Sequence, residues 1–225
     1  MATDYQYSFR QMVADIKYDL ERYQYRLSRS WIILLPLFPG LQALIAYRLS
    51  HWLNVRSKLG NLLWWPVAVF DLLVTRMVEI FTGIQLHPAA QIGRGLYIPH
   101  FAGIVIGDGV VIGDNCDIYQ HATLGFGAVE SEIGRYPHIG NRVLILAGAV
   151  VTGGITVGND AMIGANAVVT ESVPDRAVVG GSPAKILSYR GTFIAIYYPG
   201  MDSDPDRASS KAIADSTNVG DNIQQ

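Results

Sequence analysis

Residues 139–173 read IGNRVLILAGAVVTGGITVGNDAMIGANAVVTESV. Stepping by six from Ile139 gives Ile145, Val151, Val157, Ile163 and Val169, all branched aliphatic. Four residues after each comes a second small or branched apolar residue: Val143, Ala149, Ile155, Ala161, Ala167 and Val173. This period belongs neither to a helix nor to an ordinary strand. It is the period of a parallel β-helix, in which six residues make one short strand and one corner. The aliphatic residue points inward, the small residue packs near a corner, and Gly or Asn takes the turn. Three rungs close a coil, and stacked coils bury one continuous core.

The beat extends upstream through Leu86, Ile92 and Ile98, then Ile106, Ile112, Ile118 and Leu124. It is broken twice. Ile98 and Ile106 are eight residues apart, which predicts a two-residue slip near Ile104. Leu124 and Ile139 are fifteen apart, and the loop between them (GFGAVESEIGRYPH, 125–138) is rich in Gly, charge and aromatic residues. Long loops on a rigid scaffold commonly carry function.

Before the repeats the pattern is helical. Residues 8–28 place Met12, Ile16, Leu20 and Tyr23 along one helix face. Pro39 and Gly40 mark a second helix start, carrying Leu41, Leu44, Ile45, Leu49 and Leu53. A polar break at 56–61 precedes a third helix from about Leu62 to Phe81, begun or kinked at Pro66. Trp31–Tyr47 is uncharged but interrupted by Pro36, Pro39 and Gly40; Leu62–Phe70 is followed by Asp71, Arg76 and Glu79. A bilayer crossing needs roughly 20 predominantly apolar residues. A buried helical bundle is therefore expected, while four tryptophans leave peripheral contact with the inner membrane face open. The expectation is an α+β chain: a helical domain over 1–83, a β-helix over 84–190, and a tail over 191–225 that is largely disordered because Ser, Asp and Asn dominate it.

Composition narrows the function. Seventeen basic and nineteen acidic residues give a formal charge of −2 with no basic stripe, which argues against nucleic acid. The lone Cys116 stands at a small inward position and reads as packing, in a reducing cytoplasm. The polar, charged start of the chain does not read as a secretory signal. Two histidines stand out. His100 lies two residues after the rung residue Ile98, and imidazole can take and return a proton at neutral pH. If the slip is a two-residue insertion, Ile98 and Ile118 lie one strand spacing apart, ~4.8 Å, bringing His121 near His100. Both also read as solvated surface residues. His87 and His138 read as turn residues, and His51 as a helix-surface residue.

The segment Gly83–Ile186, with HPAAQIGRG, GIVIGD, YQHATLG, RYPHIG and GGSPAKI, resembles the serine acetyltransferases and the colanic-acid-type exopolysaccharide O-acetyltransferases. The resemblance implies a left-handed parallel β-helix of hexapeptide repeats, acetyl-CoA as co-substrate, no metal, and a homotrimer with its cleft between neighbouring β-helices. Pairing of trimers through the helical domains is left open. The resemblance makes His100 the general base, with His121 beside it. Asp108 and Arg135 match acceptor-binding positions. Gly125, Ala147 and Ala165 lie where the pantetheine arm of acetyl-CoA would run, and Lys185 lies near its phosphates. Gly and Ala are also ordinary corner residues, and Arg135 also reads as a solvated surface residue. The chain departs from the serine pattern at three places: Pro99 and Gln85 replace acids, and Tyr136 replaces a histidine. The expected function is O-acetylation of a small hydroxyl acceptor, with a sugar of an exopolysaccharide or its precursor ranked first. Serine O-acetylation for cysteine synthesis is the alternative, and a non-catalytic scaffold the second. The last residues are Asn222, Ile223, Gln224 and Gln225, so the terminal-Ile contact with a partner sulfhydrylase is not expected.

Overall fold

The computed structural model describes residues 7–57, 65–127 and 135–221. Four helices lead: α1 (Phe9–Leu27), α2 (Trp31–Leu37), α3 (Pro39–Ser57) and α4 (Trp65–Thr82). Five coils of short strands follow. The first holds β1 (Ile84–Leu86) and β2 (Gln91–Ile92). The second holds β3 (Ile104–Ile106), β4 (Val111–Ile112) and β5 (Asp117–Ile118). The third holds β6 (Thr123–Gly125), β7 (His138–Ile139) and β8 (Leu144–Ile145). The fourth holds β9 (Val150–Thr152), β10 (Thr156–Val157) and β11 (Met162–Ile163). The fifth holds β12 (Val168–Val169) and β13 (Val178–Gly180), and β14 (Lys185–Ser188) closes it by pairing antiparallel with β13.

The coils stack into three parallel sheets, ordered β1-β3-β6-β9-β12, β2-β4-β7-β10 and β5-β8-β11-β13 with β14 at its edge. The expected architecture, a helical region followed by a parallel β-helix of hexapeptide repeats, is the one the chain adopts. The inward rungs Ile106, Ile118, Leu124, Ile145, Val151, Val157 and Ile163 are at most 0 % exposed. So are the small residues Val143, Ala149, Ala161 and Ala167. The two-residue slip is located at the first corner. Ile84 pairs with Ile104, whereas Val105 pairs with Thr123, and Tyr97 bridges Asp117. The extra residues lie at 99–103, where Ala102 turns with φ 86°. Cys116 is fully buried, its Sγ donating to Gly140 O at 3.2 Å, and burial pushes the thiol up to about 12. It is a packing residue, as expected.

A β-helix has an exposed first coil whose backbone groups lack a neighbour. An unpaired buried polar group costs ~1–3 kcal/mol. The helices supply the missing partners. Tyr47 Oη donates to Ala90 O (2.8 Å) and accepts from Ile92 N (3.1 Å). Tyr23 Oη does the same for Ile98 O and N (3.3 and 2.9 Å). Arg48 donates to Ile92 O and Gly93 O (2.5 and 2.7 Å), and Asp19 accepts from Gly95 N (2.5 Å). Arg22 donates to Gly95 O and pairs with Asp117, to which Arg26 adds a contact at 3.3 Å.

Several local expectations change. The inward face of α1 is not chiefly apolar. Met12 and Tyr23 are buried, but so are Asp15, Asp19 and Arg22, because that face must meet backbone polar groups. His51 is buried on α3, not on the surface, with Nδ1 2.7 Å from Pro88 O. The stretch 31–37, interrupted by Pro36, is nonetheless a short helix. The helical region is not a buried bundle throughout, since one side of α4 is open to solvent. The expected polar break falls, from residue 58 on, outside the described residues, as does the helix start at Leu62.

The tail expected to be largely disordered is folded as far as residue 221. Ile196 and Tyr198 pack with Leu144, and Thr192 Oγ1 donates to Arg142 O at 2.9 Å. A 3₁₀ turn (Met201–Ser203) leads into α5 (Pro205–Asp221), where Arg207 donates to Phe193 O and Ile196 O at 2.8 and 2.9 Å. The apolar run 193–198 anchors a segment whose polar composition reads as unfolded.

Candidate active site

The expected site residues fall on the two edges that flank the first sheet. One edge precedes its strands and is built from residues 99–103, 119–122, 146–149 and 164–167, one stretch per coil. Its backbone forms a ladder: His121 N donates to Ala102 O (3.0 Å), Gly148 N to Gln120 O (3.0 Å) and Asn166 N to Ala147 O (2.9 Å). Register therefore stacks Gln120, Ala147 and Ala165 in a column. Beside it Gly103, His121, Gly148 and Asn166 form a second column, all with positive φ (67°, 62°, 71° and 56°). This turn geometry favours Gly and, among other residues, Asn, Asp and His, so His121 suits its position.

His100 lies at the top of this edge, exposed, with its ring against Tyr119 at 5.8 Å in an edge-on arrangement. His121 lies on the same corner one coil below. Its imidazole fills the space under Gly103, where a Cβ would overlap Nδ1. The insertion thus places both histidines among the residues of one corner, His100 against Tyr119 and His121 against Gly103. Among the described residues His100 receives no hydrogen bond to its ring. Ala147 is half-buried and Ala165 exposed, further along the edge. Gly181 O accepts from Val168 N (3.0 Å) and Ala184 N donates to Val168 O (2.9 Å), which seats Lys185 at the far end. Lys185 is exposed and makes no ion pair among the described residues.

The other edge follows the same strands. It carries Asp108, Gly125, Arg135 and Tyr136. Gly107 and Gly109 flank Asp108, and both face the Tyr136 ring, which leaves no room for a Cβ at 109. The Tyr136 hydroxyl donates to the Asp108 carboxylate. That bond holds Asp108 below the usual carboxylate range, with help from nearby His87, and raises Tyr136. Phe126 packs edge-on to Tyr136 at 6.1 Å. Arg135 is exposed next to it. A Cβ at Gly125 would meet nothing within 4 Å, so the space above that strand end is open. Residues 128–134 of the loop lie outside the described residues.

Within one protomer the two edges stay apart. Gly103 and Gly107 bound β3, and four residues at ~3.3 Å each place the edges about 13 Å apart. His100 and His121 are therefore grouped with Ala147, Ala165 and Lys185, and separated from Asp108, Arg135 and Gly125. Two contributors escaped the sequence reading. Tyr119 follows a rung residue and points outward, with nothing in the pattern to mark it. Gly103 makes room for His121, but reads as one more turn glycine. The role of Tyr136 as partner to Asp108 had a signal in Gly-Asp-Gly, which leaves space for a ring.

The chain matches the family model "Bacterial transferase hexapeptide (six repeats)" over residues 136–171. It is 41 % identical over 177 residues to a serine acetyltransferase of Helicobacter pylori strain 26695, covering 77 % of this chain and 97 % of the relative. Among solved structures it is similar to a soybean serine acetyltransferase complexed with serine (TM-score 0.68, 32 % identity, 78 % of this chain and 69 % of that one). It is also similar to a serine acetyltransferase in complex with CoA (TM-score 0.67, 31 % identity, 82 % and 72 %).

Proposed function

Because the chain belongs to the serine acetyltransferase family of hexapeptide-repeat acetyltransferases, we propose that it moves the acetyl group of acetyl-CoA to the hydroxyl of a small acceptor, with L-serine as the first reading. The observation that carries this reading is the 41 % identity across 97 % of the Helicobacter pylori enzyme. It reverses the order expected from sequence, where a sugar acceptor stood first. The CoA-bound relative supports acetyl-CoA as donor.

In the proposed reaction His100 takes the proton of the acceptor hydroxyl as its oxygen attacks the thioester carbonyl. The tetrahedral intermediate collapses, the C–S bond breaks, and the CoA thiolate recovers the proton from the imidazolium. The thioester is already activated, so a base, a positioned hydroxyl and a hydrogen-bond donor for the oxyanion suffice. His121 flanks the base from the next coil. The small residues Ala147 and Ala165 let the pantetheine arm approach the backbone, and Lys185 meets a phosphate at the end of that edge. Gly125 offers open space on the opposite edge. Asp108 and Arg135 bind the acceptor from that opposite edge. About 13 Å separates the edges in one protomer, which is compatible with a complete site formed between protomers of the homotrimer that the resemblance implies.

A second reading, a sugar hydroxyl, is favoured by one group of observations. Pro99 and Gln85 cannot act as the acids of the serine pattern. Tyr136 occupies the place of its loop histidine and spends its hydroxyl on Asp108. The deciding experiment measures CoA thiol release from acetyl-CoA with L-serine, with a panel of hexoses and their nucleotide-linked forms, and with no acceptor. Release dependent on L-serine supports the first reading; release with sugars alone transfers the assignment to the second.

A further inference from the structure

Helix α4 is built inside out. At roughly 100° per residue, Asp71, Thr75, Glu79 and Thr82 fall on one side, facing the rest of the protein. Ser50 Oγ donates to Asp71 at 2.6 Å and lies 2.9 Å from Thr75 Oγ1. Next to this side lies a pocket of about 320 Å³, bordered by Ser50, Asp71 and Glu79 and also by Leu53, Leu72 and Pro88. On the opposite side Val69, Phe70, Leu73, Met77, Ile80 and Phe81 fall within an arc of roughly 120°, which Val74 and Val67 widen to roughly 160°, and this arc holds no polar side chain. Phe70 is 68 % exposed, and Ile80 and Phe81 are each 75 % exposed.

A helix packed on a globular protein in water shows the reverse, with an apolar stripe of about 100° turned inward and polar residues outward. The charged side chains of α4 do not compensate. Asp71 is held by Ser50, and Arg76 is tied to Glu79 at 2.6 Å. No helix among the described residues is long and apolar enough to cross a membrane.

We propose that α4 seats the protein on a lipid bilayer, its apolar arc sunk into the boundary between headgroups and acyl chains and its Asp71–Glu79 side toward the aqueous phase. A helix lying in that plane buries a broad apolar face and keeps its polar face wet. A second copy of the chain would cover a helix-wide stripe and leave the flanks of a 160° arc in water, whereas a fluid apolar phase covers all of it. Trp65, 70 % exposed at the start of the helix, adds an amphipathic ring of the kind that settles at headgroup level. The proposal is independent of the acceptor.

The test is flotation of the full chain with phosphatidylcholine vesicles, and with vesicles that also contain phosphatidylglycerol. The protein is expected to rise with both, because apolar contact and not charge drives binding. Leu73→Glu/Ile80→Glu should lower the floated fraction roughly tenfold or more, since two apolar side chains leave the lipid. Its circular dichroism and acetyl transfer should match wild type. Should that pair fail to fold, Leu73→Gln/Ile80→Gln gives the same comparison. Wild-type protein that stays at the bottom of the gradient overturns the proposal, as does a folded variant that floats equally well. Light scattering that shows self-association abolished by the same substitutions would overturn it in favour of a second copy.

Discussion

In the proposed reaction His100 and Tyr136 divide the residue-scale chemistry between them. His100 is exposed at a corner, away from the buried rungs, so His100→Ala should leave the circular dichroism spectrum and CoA binding near wild type. Acetyl transfer should fall roughly 10²–10⁴-fold, the usual contribution of a positioned general base. His121→Ala should cost less, because its imidazole fills space beneath Gly103 and flanks the base. A larger loss at His121 than at His100 would exchange the two roles. Tyr136 acts through Asp108. The depressed Asp108 pKa means the hydrogen bond adds stability above the unfolded carboxylate's pKa, and that increment is lost as pH falls through the folded value. Tyr136→Phe should therefore move the Asp108 titration up toward the ordinary range near ~3.9, measured by carboxyl-carbon NMR. An unmoved titration would mean that the bond is not what holds the carboxylate down. Neither Tyr119 nor Gly103 was legible as part of this site. A residue's neighbour on the next coil is set by the two-residue insertion and the corner geometry, and a linear motif carries neither.

At the scale of elements, the hexapeptide beat made every coil legible, because each inward rung reports one buried position directly. The slip at Ile104 was legible for the same reason. The helices were less so. The face of α1 that meets the first coil carries Asp15, Asp19 and Arg22, and an apolar period cannot reveal a face chosen to satisfy backbone groups. The folded tail was hidden by composition, since six apolar residues at 193–198 anchor a longer polar segment. The cap also makes a prediction. Arg48 is buried, pairs with Asp19 at 2.9 Å and donates to two carbonyls of the first coil. Arg48→Met keeps much of the stem but strands the Asp19 carboxylate, and should cost about 3–5 kcal/mol. Arg48→Met/Asp19→Asn should recover part of it, because the isolated charge goes too. Urea unfolding followed by tyrosine and tryptophan fluorescence measures both. A single variant as stable as wild type would mean that the first coil does not depend on the cap.

At the scale of the whole molecule, the separation of the two edges makes association part of the proposed chemistry. In the proposed reaction one edge of each protomer offers His100, His121 and the acetyl-CoA track; the other offers Asp108, Tyr136 and Arg135. Closed cyclic symmetry sets the first edge of one protomer against the second edge of the next, and repeats that contact around the ring. Each cleft would then draw its base and its acceptor contacts from different chains. His100→Ala disables the first edge and Arg135→Ala the second, so homotrimers of either variant should transfer acetyl poorly. Co-expression of the two should restore activity, since some clefts pair an intact first edge with an intact second edge. A trimer containing both variants has, in either composition, one such cleft of three, so recovery in mixed trimers should approach roughly a third of wild-type turnover per cleft. The measurement is CoA release by trimers purified through two different affinity tags. If both edges served a cleft within one protomer, every mixed cleft would still lack one group and turnover would stay at the level of the separate variants. A fully active monomer would exclude the shared cleft by a second route.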